Sequence, residues 1–127
     1  MIIYRQNQRV LVQGITGKQG SFWTEKMIST GTQVVAGVNP KRAGEKHLDL
    51  PVYATAKAAM AETPFDVAVT FIPPAAAKAA TIDAIEAGAK VVVVLTEHIP
   101  ARDVNAMHHA ARAHGTRIIG PNTAGTV

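Results

Sequence analysis

Apolar and polar positions fall into two alternating rhythms along this chain. Compact aliphatic runs at Arg9 to Gln13, Gln33 to Val38, Asp66 to Phe71, Lys90 to Leu95 and Arg117 to Ile119 are strand candidates. Between them lie stretches with helical punctuation. Lys18 to Thr30 predicts a helix with Phe22, Met27 and Ile28 available for an inner face and Gly31 as a stop. Thr55 is placed to cap a helix running to about Glu62. Pro73-Pro74 ends a strand and opens an Ala-rich helix to Glu86, with Gly88 past its end. Pro100 opens another to about Ala113, stopped by Gly115. Leu50-Pro51-Val52-Tyr53 reads as a short extended piece, and Asn39 to Gly44 as a loop by its turn residues.

The runs Val10 to Val12 and Val91 to Val94 do not alternate with polar residues. Strands apolar on both faces need cover on both faces, which requires a parallel sheet between helices. The expectation is a doubly wound α/β domain: a mainly parallel, Rossmann-like sheet of five main strands with helices on both faces. Ligands of such sheets sit beyond the carboxyl ends of the strands, where the winding reverses. Those ends are Gly14 to Gly20, Val38 to Arg42, Phe71 to Pro74, Leu95 to His98 and Gly120 to Thr123, all rich in Gly, Pro, Thr, Asn or charge.

The first of these ends carries the strongest chemistry. Gln13-Gly14-Ile15-Thr16-Gly17-Lys18-Gln19-Gly20 follows a strand and opens a helix, so it reads as a phosphate cradle. Glycines let the backbone approach a ligand, and the unpaired N–H groups of the helix start point at an anion together with the favourable end of the dipole. The spacing is G-x-x-G-x-x-G rather than the G-x-G-x-x-G of most NAD-binding folds.

Composition narrows the field. The chain has 127 residues, the size of one ordinary domain, with 47% hydrophobic and 17% charged residues. It contains no cysteine, which excludes disulfides, thiolate zinc sites and cysteine nucleophiles, and is compatible with a reducing compartment. The longest apolar run, Val91 to Leu95, is too short to cross a bilayer, and the first twelve residues lack the apolar block of a secretion signal. A cytosolic protein or a processed organellar one, for example of the mitochondrial matrix, is expected. The net charge is +4 and the pI about 9.7, but the basic residues are dispersed and no aromatic platform is interleaved with them. That pattern does not single out nucleic acid, and the modest positive surplus fits a small polyphosphate ligand equally well.

The second strand end selects among nucleotides. An NAD site of the usual kind places Asp or Glu there, to accept from the ribose hydroxyls. This chain has Val38-Asn39-Pro40 running into Lys41-Arg42. Cations suit an extra phosphate on the ribose, which leaves NADP or coenzyme A.

Five segments, Gln13 to Gly20, Gly37 to Pro40, Phe71 to Pro74, Leu95 to Pro100 and Gly120 to Thr123, together resemble the CoA-binding domain that begins the alpha subunit of succinyl-CoA synthetase. The resemblance runs in order and with similar spacing from Ile3 to Gly125. It implies an enzyme that couples nucleoside triphosphate, a carboxylic acid and CoA through an acyl phosphate and a phosphohistidine. It implies that Thr16, Gly17, Lys18 and Gln19 hold the CoA phosphates, and that Arg42 stands where the family usually has a lysine contacting CoA. Leu95, Thr96 and Glu97 would line the cofactor; Val38, Pro40, Ile72 and Pro73 would border its adenine and ribose; Asn122 would sit nearer the thiol. The implied partner is a beta subunit carrying the nucleotide-binding site, and the phosphohistidine would belong to a further domain of a longer protein.

Three departures bear on specificity. The family's Pro-Gly-Lys-Gly-Gly loop is Pro40-Lys41-Arg42-Ala43-Gly44 here, a glycine usual after the Thr-Glu pair is His98, and the usual Pro-Asn-Cys-Pro-Gly is Pro121 to Gly125 with Thr123 and Ala124. They leave the acid open, with a related acid–CoA ligase, for example one acting on malate or another dicarboxylate, as an alternative. None of the five histidines inherits the phosphohistidine role: His108, His109 and His114 suit a helix surface or end, His47 a loop, and only His98 lies at the proposed site. An NADP-dependent reductase fragment and a free-standing CoA-binding sensor module are the alternatives.

Overall fold

The computed structural model describes residues 8–95 and 98–120. The five main strands are present as β1 (Arg9–Gln13), β2 (Gln33–Val38), β5 (Val67–Thr70), β6 (Val91–Val94) and β7 (Arg117–Ile119). Two more join them, β3 (Lys46–His47) and β4 (Leu50–Tyr53), so the sheet has seven strands in the order β3-β4-β2-β1-β5-β6-β7. All pairings are parallel except β3 with β4, a hairpin at one edge. The expected five-strand count is therefore corrected. Leu50 to Tyr53 is a full member, with Gly37 and Val38 beside Val52 and Tyr53, and β3 is too short and polar to be seen by periodicity.

Four helices follow the expected boundaries closely: α1 (Lys18–Ser29), α2 (Ala56–Glu62), α3 (Pro74–Ala87) and α4 (Ala101–His114). Thr55 caps α2 by accepting from the Ala58 N–H at 3.0 Å. Gly88 and Gly115 end α3 and α4 in the left-handed conformation. The loop after β2 contains a single 3₁₀ turn, Pro40–Arg42. No helix among the described residues is long and apolar enough to cross a membrane.

Alternate side chains of each strand enter different cores. Val10, Val12, Val67, Val69 and Val93 pack with Ile15 and Met27 on the face that α1 covers. Leu11, Ala68, Val92 and Val94 pack with Ala59, Ala77, Ile85, Met107 and Ala111 beneath α2, α3 and α4. Each fully buried aliphatic side chain contributes about 1.5–3 kcal/mol relative to exposure, so both faces bind the layers together.

The inner face of α1 differs from expectation. Phe22 and Ile28 are 53% and 44% exposed, whereas Gly20 and Thr24 are buried and Met27 half-buried. Small residues let the helix start lie against the β1 turn, and bulky side chains at those positions would hold it off. Phe22 instead meets Trp23 edge-on at 5.4 Å on the outside, with the Lys26 ammonium 5.3 Å from the Phe22 ring.

Candidate functional site

The winding reverses at β1, because the chain moves to one side through β2 and β4 and to the other through β5, β6 and β7. The turn after β1 and the segment after β5 therefore meet at the carboxyl edge. Gly14, at φ +84°, lies so close to the Phe71 carbonyl that a Cβ would stand 2.8 Å from its oxygen. Gly20 is tighter still, with a Cβ position 2.1 Å from the Gly14 oxygen. These contacts press the first turn of α1 onto the strand end. Gly17 is the N-cap and offers no side chain to the helix start; its own N–H donates to the Gly14 carbonyl at 3.0 Å, which leaves the N–H groups of Lys18 and Gln19 open. The starts of α3 at Pro73 and α4 at Pro100 likewise lack a side-chain cap. Three helix N-termini with their positive dipole ends thus surround one edge.

Two adjoining hollows lie there. The larger, about 590 Å³, is lined by Gln19 of α1, by Phe71, Ile72, Pro73 and Pro74 between β5 and α3, and by Leu95 and His98 between β6 and α4. The smaller, about 280 Å³, is an apolar slot between Val38 and Pro40 on one side and Ile72, Ala76, Ala79 and Ala80 on the other. Gln13 and Asp83 complete it, and Ile72 borders both hollows. Gln13 is buried and already satisfied: its amide donates to the Ala80 carbonyl at 2.8 Å and accepts from the Thr70 hydroxyl at 2.7 Å. One oxygen of Asp83 accepts the Ala56 N–H at 2.6 Å.

The named candidates distribute as follows. Gln19, Ile72, Pro73 and Leu95 line the larger hollow; Val38, Pro40 and again Ile72 line the slot. Gly17 and Lys18 are exposed at the helix start beside Gln19, and Thr16 is half-buried. Arg42 ends the 3₁₀ turn and is exposed, with only a loose contact of 3.8 Å to Glu45. Such an exposed pair contributes little and leaves the guanidinium accessible. Thr96, Glu97 and Asn122 lie outside the described residues.

Sequence reasoning missed the side chains that wire these loops together. Asn39 accepts from the Lys41 N–H at 2.9 Å, capping the 3₁₀ turn, and its amide nitrogen donates to the Thr16 hydroxyl. An Asn before Pro at a strand end is a recognisable cap, but its second partner is 23 residues away. His47 belongs to the β3 strand rather than a loop and meets Ser21 of α1 at 2.7 Å. The Ser21 hydroxyl spends its one proton on the Ile15 carbonyl at 2.9 Å, so the imidazole Nε2 is the donor. His98 adopts φ +63°, a left-handed backbone that disfavours side chains, while its residue lines the larger hollow.

Comparison with known proteins gives a consistent picture. Residues 5–98 match the model of the CoA binding domain. The chain is 42% identical over 126 residues to the ADP-forming succinate–CoA ligase subunit alpha 2 of Archaeoglobus fulgidus, covering 99% of this chain and 44% of that protein. It is 37% identical over 126 residues to a subunit of the ADP-forming sulfoacetate–CoA ligase of Bilophila wadsworthia, covering 99% of this chain and 43% of that protein. Among solved structures, ATP citrate lyase from Methanothrix soehngenii, in complex with citrate and coenzyme A, superposes with a TM-score of 0.73 at 27% identity, over 96% of this chain and 22% of that one. The chain spans less than half the length of these curated relatives.

Proposed function

We propose, given that this chain belongs to the family of CoA-binding domains, that it serves as the CoA-binding domain of an acid–CoA ligase alpha subunit. The observation that carries this reading is the juxtaposition of an open α1 start, an apolar slot and an exposed cationic turn along one sheet edge. The fit to CoA is chemical. Its pyrophosphate needs fixed donors, which the N–H groups of Lys18 and Gln19 offer at the positive end of a helix. Its adenine needs a narrow apolar slot, which Val38, Pro40 and Ile72 supply. Its ribose phosphate needs a cation, which Arg42 or Lys41 supplies from the 3₁₀ turn. The larger hollow, with Gln19, Pro73, Leu95 and His98, then takes the pantetheine arm.

When bound, CoA supplies the thiol that accepts an acyl group. The residues of this chain hold and orient it. A beta subunit carrying the nucleotide site, and a phosphohistidine-bearing domain accompanying residues 1–127, complete the proposed enzyme, in keeping with relatives more than twice as long. The relatives are named for different acids, succinate and sulfoacetate, so the CoA-binding reading leaves the acid open.

Calorimetric titration of the chain with CoA, dephospho-CoA and NADPH tests the reading. CoA is expected to bind most tightly, dephospho-CoA roughly tenfold or more weakly for loss of a charge-assisted contact, and NADPH least. Preference for NADPH would replace it with a reductase fragment.

A further inference from the structure

The sheet edge brings the phosphate turn and the cationic turn together through one side chain. Asn39 extends from the end of β2, half-buried, with its N–H donating to the Tyr53 carbonyl at 3.0 Å. Its Oδ1 holds the Lys41 N–H, and the Asn39 carbonyl accepts the Arg42 N–H at 3.0 Å, so both cations hang on its backbone and side chain. Its Nδ2 donates into the Thr16 hydroxyl oxygen. A hydroxyl has one proton and two lone pairs. With a lone pair engaged by Asn39, the Thr16 proton is left for an acceptor on the ligand side, beside the open N–H groups of Lys18 and Gln19.

We propose that Asn39 is a positioning residue for CoA: it sets the Thr16 hydroxyl as a phosphate donor and locks the Lys41-Arg42 turn to it, so the pyrophosphate and the ribose phosphate are read as one unit. The inference rests on the CoA-binding reading above. A second bridge, from His47 Nε2 to Ser21 and on to the Ile15 carbonyl, ties the β3 hairpin to the same first turn of α1 and keeps the two loops in register.

The test is a set of double-mutant cycles read by CoA titration, with thermal melts to show that each variant is folded. In the wild-type background Thr16→Ala and Arg42→Ala each weaken CoA several-fold, and Arg42→Ala removes most of the preference over dephospho-CoA. In Asn39→Ala both substitutions cost markedly less, because neither group is held in place. Asn39→Asp separates the two roles. It retains an acceptor for the Lys41 N–H, so Arg42→Ala still costs its full factor, but it draws the Thr16 proton onto a carboxylate, so Thr16→Ala costs nothing further. Full costs of Thr16→Ala in both Asn39 backgrounds, with a full cost of Arg42→Ala in Asn39→Ala, would overturn the inference while leaving CoA binding intact. A wild-type chain that fails to bind CoA at millimolar concentration would remove the underlying reading, and this inference with it.

Discussion

Gly20 stands against Gly14: a β-carbon on the former would lie 2.1 Å from the carbonyl oxygen of the latter. Both sides of that contact are backbone, so no rotamer change can relieve it. Gly20→Ala is expected to destabilise the chain by about 2–3 kcal/mol, near the upper range for overpacking, and to move the α1 start off the strand end. Denaturant unfolding reads the first effect and CoA titration the second. A variant with unchanged midpoint and affinity would mean that the turn is not pressed together as described.

The β3–β4 hairpin turns through Leu48 and Asp49, at φ +52° and +64°. A two-residue turn with both angles positive is a place for Asn-Gly, and leucine there is strained. Replacing Leu48-Asp49 by Asn-Gly is expected to stabilise the chain by about 1 kcal/mol. Urea denaturation checks it, and a lower midpoint would count against the described turn.

His98 also carries a left-handed backbone. His98→Gly should relieve that strain and raise stability by about 1 kcal/mol. If the imidazole contacts the bound cofactor across the larger hollow, CoA binds a few-fold more weakly to the same variant, the size of one hydrogen bond. Thermal melts and titration should thus move in opposite directions; a gain in both would assign His98 no part in binding.

Lys57 of α2 and Glu86 of α3 pair at 2.7 Å on the surface. Donating a hydrogen bond to Glu86, and then its charge, holds the Lys57 ammonium above its ordinary 10.5; accepting that bond, and then the Lys57 charge, holds the Glu86 carboxyl below 4.5. The depressed acid stabilises the fold above its ordinary value and loses that contribution as pH falls through its folded value, below 4.5. The raised base contributes below its ordinary value and loses that as pH rises through its folded one, above 10.5. Unfolding of wild type and Lys57→Ala across pH should therefore differ most near neutrality and converge at both extremes. The gap should also shrink with added salt, because both partners face solvent.

The strand and helix order, the capping Thr55 and the stops at Gly88 and Gly115 were legible because each is written in a few consecutive residues. The β3 strand was not, since Lys46 and His47 carry no period and Leu48-Asp49 is not a usual turn pair. The inner face of α1 was misread for a related reason: hydrophobicity favours Phe22 and Ile28, but close approach to β1 favours Gly20 and Thr24. At the carboxyl edge the glycine turn and the proline segments were visible, whereas Asn39 with Thr16 and His47 with Ser21 are partners 23 and 26 residues apart that only folding brings together.

Trp23 is the chain's one tryptophan, 45% exposed on the same helix whose start forms the phosphate turn. Its indole, stacked edge-on with Phe22, lies within two helical turns of Gly17. The molecule thereby carries its own optical probe: emission of its one tryptophan, excited apart from the two tyrosines, is expected to change with occupancy of the adjacent edge, without a dye or a label.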